Sequence, residues 1–400
     1  MTEPASLMRK PVQGPLAGVT VVDLSRVLAG PYCTMVLADL GARVIKVEAR
    51  GRGDDSRHYG PFVNGKSAYF MSLNRGKLSI ALDLKAPSDR EVFERLLARA
   101  DVLVENFRPG TMERLGYGWQ TLHECHPRLI YAAVSGFGRT GPYATRPAYD
   151  IIVQAMGGIM SLTGHPESPP VRVGASIGDI VAALFLTTGI NAALFHREKT
   201  GEGTLIDVAM LDAQVAILEN AIARYTATGT VPSPLGARHP SITPFDVFAA
   251  ADGYLVIAAG NDQLFARLCS VVGRPDLADN PLFSTNDLRT QHQAALKDEL
   301  ESALRQRSVE DWLALLEEAG IPCGPINSVD KVLADPHVQA RNMVVSTEDP
   351  LAGRLLMAGN PIKFSSFPDP ASRASAPDLD GDRDRLLREL AGADGPETNE

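Results

Sequence analysis

The chain has 400 residues, which is too many for one ordinary hydrophobic core and predicts two domains or one large α/β domain with an insertion. Its hydrophobic content of 44% is ordinary for a soluble globular protein, and its formal net charge is −9. The sequence contains no run of Lys or Arg, and because binding to DNA or RNA needs clustered cations, we expect no nucleic-acid partner.

The four cysteines are scattered without C-x-x-C spacing, so they indicate neither a disulfide framework nor a zinc site, and we expect no metal. The start of the chain is polar and contains proline, unlike a signal peptide. The most apolar segment, 180–195, is short for a membrane span and contains Thr187, Thr188 and Asn191, which predicts a buried core helix. We therefore expect a cytoplasmic location without membrane attachment.

Strand and helix signals alternate through the first half of the chain. Strands are predicted at 18–24, 43–48, 78–84, 101–107 and 129–137, and helices at 31–40 and 88–100. Such alternation predicts an α/β fold with a mainly parallel sheet and helices on both faces. Longer helical patterns follow at 180–199 and 207–227, so that residues 1–227 would form the N-terminal part of a large domain.

The character of the sequence changes near residue 228. Two apolar segments around Asp252-Gly253 predict a β-hairpin, because Asp-Gly supplies the turn that a short loop needs. Helical patterns follow at 261–273, 287–306 and 308–319. We therefore predict a small α+β domain at 228–330, followed by a C-terminal segment, 331–400, with a strand signal at 354–359 and a polar tail.

Asp179 stands at the start of an apolar helical pattern and admits two interpretations. It could cap that helix, as Asp before an apolar segment commonly does. Alternatively, an ionised carboxylate near Gly174 and Gly178 suits nucleophilic chemistry, since glycine lets another backbone approach and free amides can stabilise an oxyanion. Asp150 has the same ambiguity between a helix cap and a partner carboxylate.

Two other kinds of site fit parts of the sequence. Residues 174–178 match the G-x-S-x-G pattern of serine hydrolases, which would make Ser176 the nucleophile of a hydrolase or acyl-CoA thioesterase. Against this, two prolines begin the strand that such a site requires, and long helical patterns follow it. The turn at 26–31 lacks G-x-G-x-x-G, which argues against nicotinamide binding.

Eight segments spread over nearly the whole chain resemble one known family. They lie at 15–31, 40–48, 72–85, 104–116, 135–150, 174–184, 199–213 and 334–343. Together they are similar to the class III CoA-transferases, the family of formyl-CoA and carnitine-related transferases. The resemblance implies a Rossmann-like large domain to which the C-terminal segment returns, a small domain inserted between its parts, and two chains interlocked as a homodimer.

The resemblance also implies a reaction and a site. Asp179 would attack an acyl-CoA to form a mixed anhydride, and CoA would then be attached to Asp179 as a thioester. A small carboxylic acid would accept the CoA, so no cofactor is needed. Asp150 would lie next to the reaction centre, and Gly260 would lie in a loop that covers the intermediates. The residues implied to bind CoA are Val27, Leu28, Ala29, Arg75, Lys77, Asn106, Phe107, Arg114 and Met210.

Departures from the formyl-CoA enzymes narrow the substrate. Those enzymes have Gln at the position of Leu28 and Arg at that of Ala49, which argues against formyl-CoA as donor. Segments 53–57, 238–245 and 258–265 look most like transferases that use succinyl-CoA and a dicarboxylic acid.

Two further residues bear on the choice of substrate and reaction. A second carboxylate needs a cation or several donors, for which we predict Arg57, with Arg238 and His239 at the entrance of the small domain as the alternates. A racemase branch acting on 2-methylacyl-CoA has His where this chain has Tyr149, and tyrosine is a poor base at neutral pH.

Overall fold

The computed structural model of the protein describes residues 13–392. The predictions for the start of the chain and for the end of the polar tail lie outside this part. The strands are β1 Thr20–Asp23, β2 Arg43–Glu48, β3 Phe62–Val63, β4 Lys66–Ser67, β5 Leu78–Ala81, β6 Val102–Glu105, β7 Ile130–Ser135, β8 Leu205–Ala209, β9 Phe245–Ala249, β10 Tyr254–Ala258, β11 Cys323–Pro325, β12 Val344–Asp349, β13 Gly353–Ala358 and β14 Ser372–Arg373.

The helices connect these strands and cover them. They are α1 Ala29–Asp39, α2 Ala68–Asn74, α3 Pro87–Leu97, α4 Thr111–Leu115, α5 Trp119–Cys125, α6 Asp150–Met156, α7 Ile159–Leu162, α8 Ile177–Thr200, α9 Met210–Ala216, α10 Ala221–Thr228, α11 Asp262–Val271, α12 Asn286–Gln291, α13 Gln293–Leu304, α14 Val309–Glu318, α15 Val329–Ala334, α16 Pro336–Ala340 and α17 Arg383–Ala391. Short 3-10 helices lie at Asp55–His58 and Pro275–Leu277.

Contacts divide the chain into two units. The first contains the chain up to Ile159, Val173–Glu219 and the chain from Pro336 onward, and the second contains Met160–Arg172 and Asn220–Asp335. The sequence analysis predicts a small domain at 228–330, and the longer part of the second unit is Asn220–Asp335. No sequence pattern indicated that Met160–Arg172 groups with the second unit.

A six-stranded parallel sheet forms the centre of the first unit, in the order β5-β2-β1-β6-β7-β8. Counted by its own strands along the chain, this is the 3-2-1-4-5-6 order of doubly wound dinucleotide-binding folds. The predicted α/β fold with a mainly parallel sheet is confirmed. The strand order reverses between β1 and β6, and ligands of such folds bind at the carboxyl ends of the strands at this point.

Both faces of this sheet are buried, because neighbouring residues of a strand point to opposite sides. On one side Val21 joins a hydrophobic cluster with Leu37 of α1 and Leu186 of α8. On the other side Val22 joins a cluster with Phe93 of α3. The C-terminal segment packs here as well, since α17 contributes to this second cluster and the Asp382 carboxylate accepts the Ser79 N–H at 2.9 Å.

Helix α8 is apolar along most of its length. Ala182, Leu186 and Ile190 are fully buried in the first cluster, as expected of a core helix. Phe185 and Phe195 of the same helix are exposed. Within residues 13–392, α8 is the one helix whose length and composition would allow it to cross a membrane.

The predicted helix at 207–227 is wrong in its first part. Leu205–Ala209 forms β8, which pairs with β7 at the edge of the sheet. Ile206 and Val208 are β-branched and favour a strand at this position. The remainder is divided between α9 and α10.

The second unit contains the antiparallel sheet β11-β10-β9, in which Ala249 pairs with Tyr254 around the predicted hairpin turn. Helices α11, α13 and α14 supply the rest of its core, including Trp312. The helix predicted at 287–306 is interrupted at His292, between α12 and α13.

Candidate active site

A cavity of about 240 Å³ lies in the first unit at the carboxyl ends of β1, β6 and β7, where the strand order reverses. Loops that follow these strands form its walls, as the topology predicts. The lining consists of residues 26–29, 106–109, 134–136 and 146–149, together with Asp55, Tyr59, Asp179 and Met210.

Asp179 is the half-buried carboxylate of this cavity. Helix α8 begins at Ile177 with Ser176 as its N-cap residue, so Asp179 lies within the first turn and is not the cap. The backbone N–H of Ala29, the first residue of α1, interacts with the Asp179 carboxylate. An N–H in the first turn of a helix has no intrahelical partner and is therefore free to make such a contact.

Asp150, the first residue of α6, supports the start of α8 from outside the cavity lining. Its carboxylate accepts the Gly178 N–H at 2.8 Å and hydrogen bonds from the Gln154 amide at 2.8 and 3.0 Å. A Cβ on Gly178 would lie 2.6 Å from Val153 and 3.0 Å from Asp150, so the two helices approach closely because residue 178 is glycine. Asp150 therefore caps the start of α8 and also lies beside Asp179.

Burial raises the pKa of Asp179 to about 7, and the negative charge of Asp150 adds to this effect. The Ala29 N–H acts in the opposite direction, because it stabilises the charged form. A carboxylate with a pKa near 7 in a cavity at the ligand-binding edge of an α/β sheet is a strong candidate for a reacting group.

Of the residues expected to bind CoA, the cavity brings together Val27, Leu28, Ala29, Asn106, Phe107 and Met210. The Asn106 side chain also has a structural task, because its amide accepts the Arg26 N–H at 2.8 Å and donates to the Arg26 carbonyl at 2.7 Å. The Arg26 guanidinium lies over the Phe107 ring at 5.4 Å. The two loops that follow β1 and β6 are thereby joined at the cavity wall.

Arg75, Lys77 and Arg114 do not line this cavity. Arg75 is buried and paired with Asp39 at 2.6 Å. The buried Lys77 contacts Asp23 at 3.1 Å and the Pro31 carbonyl at 3.0 Å, and burial lowers its pKa to about 8. These contacts connect α1 to the core. The geometry therefore does not support the expected contact of Arg75 and Lys77 with CoA.

Arg114 donates to the Thr111 hydroxyl within α4, at 2.9 Å. It lies outside the lining of the candidate cavity. Its expected contact with CoA stays a prediction.

Arg57, predicted to hold a distal carboxylate, lies outside the same cavity lining. Its guanidinium donates two hydrogen bonds to the buried Glu48 carboxylate, at 2.8 and 2.7 Å, and lies 3.7 Å above the Phe70 ring. Burial alone would raise the pKa of Glu48, but the Arg57 contacts bring it below its ordinary value. Arg57 is thus engaged by a carboxylate of the protein itself, and the structure does not support its predicted role.

His239 and Gly260 belong to the second unit. The His239 ring accepts the Ser241 N–H at 3.1 Å. Gly260 lines an open cavity of about 520 Å³ between β10 and α11, and a Cβ there would lie 2.0 Å from Ile242. Both residues therefore have defined local roles, and their expected contact with substrate stays a prediction.

The site residues predicted from the sequence do not include three arginines that line the candidate cavity, Arg26, Arg108 and Arg146. For Arg26 and Arg108 the available signal was their position at predicted strand ends. Arg146 stands in the loop before Asp150, and its guanidinium lies 4.0 Å above the Tyr143 ring. Its proximity in sequence to Asp150 was the only signal that pointed to the site.

Ser176 does not line the candidate cavity, and its side chain makes no capping hydrogen bond. Residues 169–173 are not in a strand. A nucleophile elbow needs a strand immediately before the serine, so the hydrolase alternative lacks its structural basis.

A second cavity, of about 210 Å³, adjoins the same loops in the first unit. It shares Arg26 and Phe107 with the first cavity, and Leu82, Leu84 and Lys85 contribute to its other walls. Within residues 13–392, no group of three or more His, Cys, Asp or Glu side chains is arranged to hold a metal ion.

Comparison with known proteins gives a consistent result. The family described as CoA-transferase family III matches the chain over residues 16–383. The acetyl-CoA:oxalate CoA-transferase of Acetobacter aceti is 48% identical over 95% of this chain and 96% of its own. The succinyl-CoA:glutarate CoA-transferase of Mus musculus is 41% identical over 94% of this chain and 86% of its own. A solved structure of a CAIB/BAIF family protein from Brucella suis is 40% identical, has a TM-score of 0.84, and covers 94% of this chain and 99% of its own.

Proposed function

The chain belongs to CoA-transferase family III and is a CoA-transferase, and we propose that it moves CoA between an acyl-CoA and a dicarboxylic acid by way of the Asp179 carboxylate. The observation that carries this proposal is the position of Asp179. It lies half-buried in the cavity at the point where the strand order reverses, with a free helix amide beside it and a pKa raised to about 7.

In the first half of the reaction, a carboxylate oxygen of Asp179 attacks the thioester carbonyl of the donor. The C–S bond breaks, which leaves a mixed anhydride and the CoA thiolate. The thiolate then attacks the Asp179 carbonyl, the donor acid leaves as a carboxylate, and CoA is attached to Asp179 as a thioester. This covalent route divides one difficult step into easier ones.

The second half repeats these steps with the acceptor. Its carboxylate attacks the aspartyl thioester and releases the CoA thiolate, which then attacks the acceptor carbonyl of the new anhydride. Asp179 leaves as a carboxylate, and the acceptor carries CoA. Because one thioester is exchanged for another, the proposed route needs no cofactor or metal.

The two adjoining cavities suit the two ends of a CoA thioester. The reacting thioester would lie in the first cavity beside Asp179, with Met210 on its wall. The second cavity, bounded by Phe107, Leu82 and Lys85, could take the nucleotide end. Arg26 lines both cavities and Arg108 lines the first, and their cations would meet the phosphates.

A dicarboxylic acceptor is supported by the relatives and by the cavity. According to their names, one relative described above acts on acetyl-CoA and oxalate, and the other on succinyl-CoA and glutarate. A second carboxylate loses hydration on entering the site and must find a cation. We assign this role to Arg146, since among the described residues no carboxylate forms an ion pair with it and its loop leads into Asp150.

Two broader features belong to the same proposal. Exposed apolar side chains of α6 and α8, including Ile151, Met156, Leu184 and Phe185, would be covered by a second copy in a homodimer. The cysteines are free thiols, which fits a reducing compartment such as the cytoplasm.

The test is a matrix of acyl-CoA donors and acids, with products followed by mass. We expect a new CoA thioester only when an acid acceptor is present, with dicarboxylates preferred over monocarboxylates of similar length. Hydrolysis to free CoA without an acceptor would favour the thioesterase alternative. Solvent deuterium entering the α-carbon of a 2-methylacyl-CoA would favour the racemase alternative.

A further inference from the structure

The turn Ser25–Val27, which connects β1 to α1 beside the candidate cavity, has its backbone held by three side chains. The Ser25 carbonyl accepts a hydrogen bond from Lys46 at 2.8 Å. Both backbone groups of Arg26 are bonded to Asn106, as described above. The Val27 N–H donates to both oxygens of Asp54, at 3.1 and 3.3 Å. We call Lys46, Asp54 and Asn106 the Val27 clamp.

The Val27 clamp holds the backbone of Val27 in an unfavourable conformation. Val27 has φ 67°, in the left-handed region. A β-branched residue rarely adopts this conformation, because its Cβ comes too close to the backbone. Such strain persists only where the surrounding structure imposes it, and it is concentrated at functional sites.

Asp54 is itself fixed from several directions. The buried Lys46 ammonium contacts its carboxylate at 2.8 Å, and the Ser56 N–H and hydroxyl donate to it at 2.9 and 2.8 Å. The Asp54 N–H donates at 2.9 Å to Glu48, the carboxylate that Arg57 holds with two hydrogen bonds. A buried charge with this many partners moves little, so it can impose a fixed geometry on the Val27 N–H.

Val27 stands two residues before Ala29, whose N–H interacts with Asp179. A change of the backbone at Val27 would therefore redirect this N–H. We propose that Asp54 is a positioning residue for the transfer reaction: it holds Val27 in the left-handed conformation and thereby directs the Ala29 N–H at the Asp179 carboxylate. This inference rests on the proposed role of Asp179 as the reacting group.

The first test is Asp54→Asn in the full-length protein. We expect kcat to fall on the order of 10- to 100-fold, as for a small misplacement of reacting groups. Loss of the Ala29 contact removes an interaction that lowers the pKa of Asp179, so the acidic limb of the kcat–pH profile should move to higher pH. If Asp54→Asn does not fold, the double variant Lys46→Met/Asp54→Leu replaces it in this test, because it removes both buried charges together.

Asp349→Asn is the matched control. Asp349 is also buried, pairs with Lys66 at 2.9 Å and accepts two backbone N–H bonds, but from Leu351 and Ala352, whereas Asp54 accepts the Val27 N–H of the turn beside the candidate cavity. We expect a similar loss of thermal stability with unchanged kcat and pH profile.

Val27→Gly supplies a second, independent measurement, because glycine adopts φ 67° without strain. In the Asp54→Asn background, Val27→Gly should raise kcat by a factor at least about five times larger than the factor by which it changes kcat in the wild type. A double-mutant cycle measures this coupling. The proposal is overturned if Asp54→Asn lowers the melting temperature but leaves kcat and the acidic limb unchanged, or if Val27→Gly has the same effect in both backgrounds.

Titration of Asp179 by 13C NMR of labelled aspartate, with the Asp179 signal assigned by its loss in Asp179→Asn, separates this inference from the proposed function. A wild type that transfers no CoA would refute the proposed function. An Asp179 titration that is identical in wild type and Asp54→Asn would refute the positioning role.

Discussion

Asp150 accepts the N–H of Gly178 and so holds its negative charge next to Asp179, the following residue of α8. Burial is the larger cause of the raised pKa of Asp179, about 7, and the Asp150 charge is the second. Tyr69 also interacts with Asp179, but burial raises the pKa of Tyr69 to about 12, so it stays neutral near pH 7. The candidate nucleophile is therefore only partly ionised at neutral pH.

The rate should consequently rise with pH. Only the ionised Asp179 attacks a thioester, so we expect kcat to increase through about pH 7 and then to level off. Asp150→Asn removes a negative charge, which lowers the pKa of Asp179 and should move the acidic limb to lower pH. Steady-state rates across the pH range measure this. Glu198→Gln, an exposed acid at the other end of α8, is the control and should leave the limb in place.

Asp179 should also reduce the stability of the fold. Its folded-state pKa of about 7 lies above the unfolded value near 3.9, so ionisation opposes folding. This penalty is absent below about pH 4, grows as pH rises and is complete above about pH 7. We expect Asp179→Asn to be more stable than wild type by roughly 1–4 kcal/mol at pH 8, with the difference vanishing near pH 4. Denaturant unfolding at the two pH values tests this, and a mutant less stable at pH 8 would contradict it.

Arg146 and Arg57 should respond differently to removal. Arg146→Ala should raise KM for glutarate roughly 10- to 100-fold through loss of a charged hydrogen bond, and should change KM for butyrate little. Arg57→Ala should leave the buried Glu48 carboxylate without its ion-pair partner and cost about 3–5 kcal/mol of unfolding free energy.

Kinetics with glutarate and with butyrate, together with denaturant unfolding, separate the role of Arg146 from that of Arg57. Arg128→Ala, at an exposed arginine, is the control for a lost surface charge. Arg57→Ala with full stability and a selective loss for dicarboxylates would restore the original prediction for Arg57.

Sequence patterns were sufficient for the α/β class, because they predict five of the six strands of the central sheet, all except β8, as short and largely apolar segments. They were not sufficient for the roles of cations. Arg75 pairs with Asp39 and Lys77 with Asp23, contacts between residues 36 and 54 positions apart that only the folded sheet brings together. The sequence predicts a substrate contact for Arg57, because it does not show that the 3-10 helix Asp55–His58 turns the Arg57 guanidinium back to Glu48.

The resemblance to the family identifies Asp179 as the nucleophile, since the local pattern alone favours a helix cap. The structure removes that alternative by placing the cap at Ser176. No periodicity could have revealed the left-handed Val27, because valine is a residue from which this conformation is not expected.

The exposed apolar side chains of α6 and α8 should mediate a homodimer. We expect light scattering to give about twice 42.9 kDa, with a mass that persists on dilution. Phe185→Asp should lower this mass toward that of one chain, because a desolvated charge would enter the interface. Leu282→Asp, at an exposed leucine in the second unit, should not. A wild type that is monomeric and active would contradict the prediction.

The most direct test of the account is the mass of the peptide that contains Asp179 after incubation with a donor acyl-CoA and no acceptor. The account predicts that this peptide gains the mass of CoA less one water, that the added group is lost on addition of a dicarboxylate, and that Asp179→Asn shows no adduct. An active wild type whose Asp179 peptide is never modified, or an adduct on another residue such as Ser176, would contradict it.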